Sequence, residues 1–122
     1  VFGDRSFLVA YYGTAGTGAL GVLGETDVDR ATRRLTRAAE PFRRRGENIQ
    51  PVYELIVTVA DASPGRDGSY SHEIARRLVR PYIRAAHRHG ALLLLDIQPG
   101  RTDFLTVAKR WEWALRDPWV EW

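Results

Sequence analysis

Three apolar runs in the sequence end in polar or aromatic side chains that could take part in chemistry. Tyr11 and Tyr12 end the first run, Asp61 follows the second, and Asp96 with Gln98 ends the third. The carboxyl ends of parallel strands meet at one edge of a sheet, where α/β proteins hold their binding sites. If the three runs are parallel strands, these side chains are candidate catalytic and substrate-binding residues.

Asp96 is the first candidate for catalysis because it follows four consecutive leucines. A carboxylate at that point lies at the mouth of a site or is paired inside the protein, since an unpaired buried charge is very costly. Two roles are open for it. It is a catalytic or ligand-binding group, or it holds its own loop by accepting from backbone amides near Gly100 and Arg101.

Glu54 interrupts the second apolar run near its middle. Its side chain either faces the interior of a barrel or pairs with an arginine, and interior charges are more often simply paired. Together, Asp96 and Glu54 would supply the two carboxylates of glycoside hydrolysis, one as acid and one as base or nucleophile. Tyr12 would shape a sugar subsite, or it packs without such a role. The sequence thus favours a carbohydrate as the ligand.

The elements that must position these residues follow a repeating pattern of strand and helix. Strands are predicted at residues 7–12, 52–60 and 91–97, which are short runs rich in apolar side chains. After each of them, apolar residues recur at spacings of three and four, which predicts three helices. Residues 119–122 would begin a fourth strand. The pattern predicts one α/β domain over residues 1–122, with a parallel sheet.

The helix boundaries are predicted from capping residues and helix breakers. The predicted N-caps are Asp27, Ser71 and Thr102. Gly46 and Gly90 would end the first and second helices, since glycine adopts the left-handed conformation that ends many helices. Pro81 should kink the second helix or split it in two.

The predicted fold class is α/β, with a parallel sheet built from three βα units and a fourth strand stub. A (β/α)8 barrel averages roughly 250 residues over eight units. The length of each unit here matches that spacing, so the chain corresponds to the N-terminal part of such a barrel. A small doubly wound open sheet is the alternative.

The glycine-rich stretch "YYGTAGTGALGVLGE" contains the pattern G-x-G-x-x-G at residues 16–21. In a dinucleotide site this pattern joins a strand directly to a helix whose N-terminus meets the pyrophosphate. Here the strand ends at Gly13 and the helix cap is Asp27, so the pattern lies between the two elements. We therefore predict a long, flexible loop and no bound cofactor.

Composition narrows the possible classes of protein. The chain has no cysteine, and no apolar run approaches the roughly 18 residues that would cross a membrane. The three histidines show no metal-ligand spacing, so no metal site is predicted. All but Lys109 of the 18 basic residues are arginine, but on the first predicted helix they alternate with acidic residues. That alternation is typical of a solvated face, so no nucleic-acid partner is expected.

Three segments resemble an uncharacterised bacterial family, best represented in actinobacteria. They are "YYGTAGTGALGVLGE", "PVYELIVTVADASPGRDGSYS" and "LLLLDIQPGRTDFLTVAKRWEWALRDP". Members of that family are often labelled lipoproteins or secreted proteins and are predicted to be TIM-like barrels. The resemblance implies that this chain is the N-terminal half of such a barrel, in an extracellular or cell-envelope location.

The sequence also predicts self-association. A partial barrel leaves unpaired strand edges and an apolar inner surface open to water. Trp113, Trp119 and Trp122 exceed what one helix face can bury, so we expect them to meet a partner. That partner would be a second copy of the chain or the missing half of the barrel. A non-catalytic envelope or assembly protein is therefore the alternative function.

Overall fold

The computed structural model of the chain describes residues 6–43 and 48–122. The predicted helix end at Gly46 lies outside these residues. The elements, in chain order, are β1 (Ser6–Thr14), a 3-10 turn (Val22–Glu25), α1 (Val28–Arg43), β2 (Asn48–Ala60), β3 (Ser71–Glu73), α2 (Arg76–His89), β4 (Leu92–Ile97), α3 (Phe104–Arg110), α4 (Glu112–Leu115) and β5 (Val120–Glu121).

The strands form one open sheet in the order β1-β2-β4-β5, with all neighbours on this path parallel. The short strand β3 pairs with β2 in the antiparallel direction. The predicted fold class is confirmed: three βα units and a fourth, two-residue strand make a parallel α/β sheet. The sheet is open, and its order advances in one direction, as it does in a segment of a (β/α)8 barrel.

The main core lies on one face of the sheet. Alternate residues of a strand point to opposite faces, and the core takes Tyr53, Leu55 and Val57 from β2 with Leu93 and Leu95 from β4. Buried residues of α1, α2 and α3 complete the same cluster. The helices therefore cover this face, while the side chains between these positions face the other side of the sheet.

Two helix ends form as the sequence predicts. Asp27 Oδ1 accepts a hydrogen bond from the backbone N–H of Arg30 at 2.8 Å, which satisfies one of the free donors in the first turn of α1. Gly90 ends α2 in the left-handed conformation, with φ at 61°. Local signals were sufficient at these two positions because each cap acts within one turn.

Two predicted helix caps were wrong. Ser71 does not cap a helix, because residues 71–73 pair with the end of β2 and α2 begins only at Arg76. The helix α2 runs through Pro81 without dividing, so of the two predicted effects of Pro81 the split does not occur and the kink stays a prediction. Asp103, and not Thr102, caps α3, and its carboxylate accepts from the N–H of Thr106 at 2.8 Å.

The glycine-rich stretch closes over the end of β1. The N–H of Thr14 donates to the carbonyl oxygen of Leu20 at 2.8 Å, and Gly13 forms a bridge with Gly21. Residues 16–20 are turns and bends, so the G-x-G-x-x-G pattern lies in a loop, as predicted. The loop leads into the 3-10 turn, which precedes α1.

Candidate functional site

Asp96 is held by two side chains from the predicted site. The phenol of Tyr12 donates to Asp96 Oδ2 at 3.2 Å, and Gln98 Nε2 donates to the same oxygen at 3.0 Å. Gln98 is itself oriented by β2, since its Oε1 accepts from the backbone N–H of Ala60 at 3.0 Å. The ends of β1, β2 and β4 thus build one hydrogen-bonded cluster.

The register of the sheet explains why these residues meet. Tyr12 lies opposite Glu54 on β2, and Glu54 lies opposite Leu94 on β4. Asp96 lies two pairs further along, opposite Ile56. All these positions share one face, because paired residues of parallel strands, and residues two apart along a strand, point the same way. The helical core lies on the opposite face of the sheet, and the hydrogen bond between Tyr12 and Asp96 is exposed to solvent.

Glu54 and Asp96 line the same groove, which has a volume of about 310 Å³. Phe104 and Trp122 form its aromatic wall, with ring centroids 5.5 Å apart and planes tilted by 43°. The indole of Trp122 is 68% exposed. The groove therefore combines two carboxylates with a solvent-facing aromatic surface.

The phenol of Tyr12 is held in its protonated form. Partial burial raises its pKa above the ordinary value of a tyrosine, and the nearby charge of Asp96 raises it further. Glu54 acts in the same direction. Tyr12 therefore remains a hydrogen-bond donor to Asp96 throughout the neutral range.

The other two candidate residues lie elsewhere. Tyr11 points to the helical face, where it packs against the core and the guanidinium of Arg34 lies 5.8 Å from its ring centroid. Asp61 follows β2, but its carboxylate pairs with His72 Nδ1 at 2.8 Å. Of the six predicted site residues, the structure brings together Tyr12, Glu54, Asp96 and Gln98.

The aromatic wall of the groove was not predicted from the sequence. Trp122 was expected to form one partner surface with Trp113 and Trp119, whereas the structure separates the three. Trp113 and Trp119 are half-buried against the core of their own chain, and only Trp122 is exposed. No local signal placed Trp122 there, because it follows β5 and lies outside the regular alternation of a strand.

The described part of the chain holds no cluster of three or more histidine, aspartate or glutamate side chains suited to a metal ion. Nor does any helix among these residues have the length and apolar character needed to cross a membrane. No protein family, curated protein or solved structure matches this chain. Function must therefore be argued from the geometry of the groove.

Proposed function

We propose that the groove on the open face of the sheet binds a carbohydrate and hydrolyses a glycosidic bond. The observation that carries this proposal is the shared lining of the groove: two carboxylates beside two aromatic rings. Aromatic faces suit the apolar faces of sugar rings. A carboxylate pair supplies the acid and base that glycoside hydrolysis requires.

We propose an inverting mechanism for this carboxylate pair. Glu54 and Asp96 are diagonal neighbours on adjacent strands, two residues apart in register. Strand spacing and rise separate the Cα atoms of such a pair by about 8 Å. Two carboxyl groups carried on one face of a sheet can act on one glycosidic bond with a water between them, which is the arrangement that inverting enzymes use.

The surroundings of the two carboxylates assign their roles. Asp96 accepts hydrogen bonds from Tyr12 and Gln98, which orient it as the base that would activate water. Glu54 lies beside Leu94 on the same face and would protonate the leaving oxygen. Phe104 and Trp122 would hold the sugar ring against the strand ends.

The test is a panel of polysaccharides and aryl glycosides, assayed for turnover and for binding. We expect Asp96→Asn and Glu54→Gln each to lower kcat by about 10²–10⁴-fold, the usual contribution of acid–base catalysis. Asp29→Asn, an exposed carboxylate of α1 that pairs with Arg88, is the control and should keep full activity. If the wild type neither binds nor turns over any member of the panel, the proposal is wrong.

A second candidate function is self-association, and the exposed apolar side chains favour it. Leu8 is 43% exposed, Leu105 is 59% exposed, and both lie outside the helical core, as Trp122 does. Covering about 500 Å² of such surface contributes on the order of 12 kcal/mol before the costs of association. The occupant would be a second copy, or the other half of a barrel as the family resemblance implies.

Sedimentation of the purified chain tests this second candidate. We expect a dimer or larger species at micromolar concentration, and Leu8→Lys with Leu105→Lys should shift it toward the monomer. The control Arg33→Gln changes an exposed residue of α1 and should leave the assembly intact. A wild type that sediments as a compact monomer would exclude self-association.

A further inference from the structure

A second groove lies on the helical side of the protein, between α2 and the segment formed by α3 and α4. Its volume is about 320 Å³. One aromatic residue, Trp113, lines it together with basic side chains and a single acid. The other lining residues are Arg76, Lys109, Arg110, Glu112 and Arg116.

Two arginines contact the indole of Trp113: Arg76, which lines this groove, and Arg80, which lines the adjoining one. The guanidinium carbons of Arg76 and Arg80 each lie 5.3 Å from the centroid of the indole ring. Attraction between a cation and an aromatic ring stabilises each contact, but it also holds two like charges close to each other. The indole Nε1 is buried and has no hydrogen-bond partner.

The carboxylates around this groove already have partners. Glu112 binds Arg116 at 2.7 Å, Glu73 binds Arg110 at 2.9 Å, and Asp117 binds His87 at 2.9 Å. Within residues 6–43 and 48–122, no ion pair involves Arg76 or Arg80. The groove therefore keeps an excess of positive charge next to an aromatic surface.

We propose that this groove binds the phosphate group of a small, soluble phosphate ester. Guanidinium groups match phosphate oxygens in geometry and keep their charge at any ordinary pH. The volume falls at the lower end of the range for small-molecule sites. The part of the Trp113 indole that Arg76 and Arg80 leave uncovered would contact the organic part of the ester. This site is separate from the carboxylate groove and does not depend on its proposed activity.

The test titrates the full chain with phenyl phosphate at constant ionic strength and follows the indole N–H resonances by NMR. Trp113→Phe identifies the resonance of Trp113. We expect a saturable shift of that resonance, and Arg76→Gln with Arg80→Gln should weaken binding by at least about tenfold, which is roughly 1.4 kcal/mol. Asp96→Asn should bind phenyl phosphate as the wild type does, because it alters only the other groove.

The matched control is Arg33→Gln with Arg37→Gln, which removes the same charge from a groove between α1 and His89 of α2 whose lining contains no tryptophan. It should change the affinity by less than about twofold. If the Arg76 and Arg80 variant does not fold, Lys109→Gln with Arg116→Gln serves in its place, since both residues line the groove. The proposal is overturned by the absence of a saturable shift, by equal losses in both variants, or by a response to anionic phospholipid vesicles alone.

Discussion

Trp111 and Trp113 are two residues apart in sequence, and their buried indole N–H groups differ in hydrogen bonding. Trp111 is buried, and its Nε1 donates to the hydroxyl of Thr58 at 2.9 Å. Trp113 Nε1 is also buried but has no acceptor. The helical path breaks at Trp111, between α3 and α4, and the break accompanies the contact of its indole with β2.

Thr58→Val should destabilise the protein by about 1–3 kcal/mol, because it leaves the buried Trp111 N–H without an acceptor while the side-chain volume stays the same. Urea unfolding followed by far-UV circular dichroism measures the change. Thr36→Val is the control, since Thr36 is exposed on α1 and its replacement should stay within about 0.5 kcal/mol. A loss of the same size in both variants would contradict the role of this hydrogen bond.

Tyr82 gives the fold a dependence on alkaline pH. Its hydroxyl donates to the carbonyl oxygen of Leu23 at 2.9 Å, and burial, followed by the neighbouring Tyr53, raises its pKa to about 12. Because the folded-state pKa exceeds the unfolded value near 10, this contribution to stability is complete below pH 10. It is then lost as the pH rises toward 12.

We therefore expect Tyr82→Phe to be less stable than the wild type at neutral pH and to lose less stability above pH 10. The first effect reflects the missing hydrogen bond, and the second reflects the missing titration, worth at most about 1.4 kcal/mol per pH unit. Unfolding free energies at neutral and alkaline pH measure both. Parallel curves for the two proteins would show that Tyr82 does not titrate as inferred.

At the scale of elements, the loop after β4 depends on Gly100. This residue has φ at 62°, and a Cβ there would overlap the carbonyl oxygens of Ser69 and Tyr70. The next residue, Arg101, donates its N–H to Ser69 at 2.7 Å and stacks its guanidinium on the Tyr70 ring. Close packing of two backbones thus fixes the loop that follows Asp96 and Gln98.

Gly100→Ala should cost more than about 2 kcal/mol, because it adds an overlap with backbone to the strain of the left-handed conformation. Gly68→Ala is a matched control: Gly68 has φ at 72° with open space around it, so only the conformational cost of about 1–2 kcal/mol applies. Thermal unfolding of both variants separates the two costs. Equal losses would mean that the loop can move away from the backbone of Ser69 and Tyr70.

The sequence predicted the elements that depend on local signals and missed those that depend on distant partners. Apolar runs located β2 and β4, and Asp27 located the start of α1. The strand β3 exists because it pairs with the end of β2, and that pairing leaves no local pattern in three residues. The local sequence therefore could not show whether Ser71 is part of a strand or the N-cap of a helix.

Local signals also predicted part of the candidate site. Asp96, Gln98 and Tyr12 were predicted because they lie at the ends of strands, and they form one cluster. The alternation of side chains along a strand already separates Tyr11 from Tyr12, and the structure places Tyr11 on the helical face, away from this cluster. The wall of the groove depends on how β5 lies relative to α3, which no local signal encodes.

At the scale of the whole molecule, the sheet has one protected centre and two edges. The strand β2 pairs with β1 on one side and with β4 on the other, whereas β1 and β5 end the parallel path. Stability within a domain is uneven, and interior strands usually open only when the whole fold opens.

We expect backbone amides of residues 52–57 and 92–95 to exchange with deuterium most slowly, at rates set by global unfolding. Amides of β1 should alternate between slow and fast exchange, because only one of its edges pairs with a strand among residues 6–43 and 48–122. Hydrogen exchange read by NMR gives both patterns. Uniformly slow exchange along β1 would indicate that this edge is covered in solution, which would support self-association.

The position of the four tryptophans has an optical consequence. All of them lie between residues 111 and 122, and each has different surroundings. Trp111 is hydrogen-bonded to Thr58, and Trp113 is in contact with two guanidinium groups. The ring centroid of Trp119 lies 6.0 Å from that of His87, and Trp122 is exposed against Phe104. The tryptophan fluorescence of this protein therefore measures the environment of α4, β5 and the residues next to them. The glycine-rich loop and α1 contribute no tryptophan emission of their own. If the thermal transition seen by fluorescence comes at a lower temperature than the loss of helical ellipticity, residues 111–122 unfold first, while β1 and β2 are still paired.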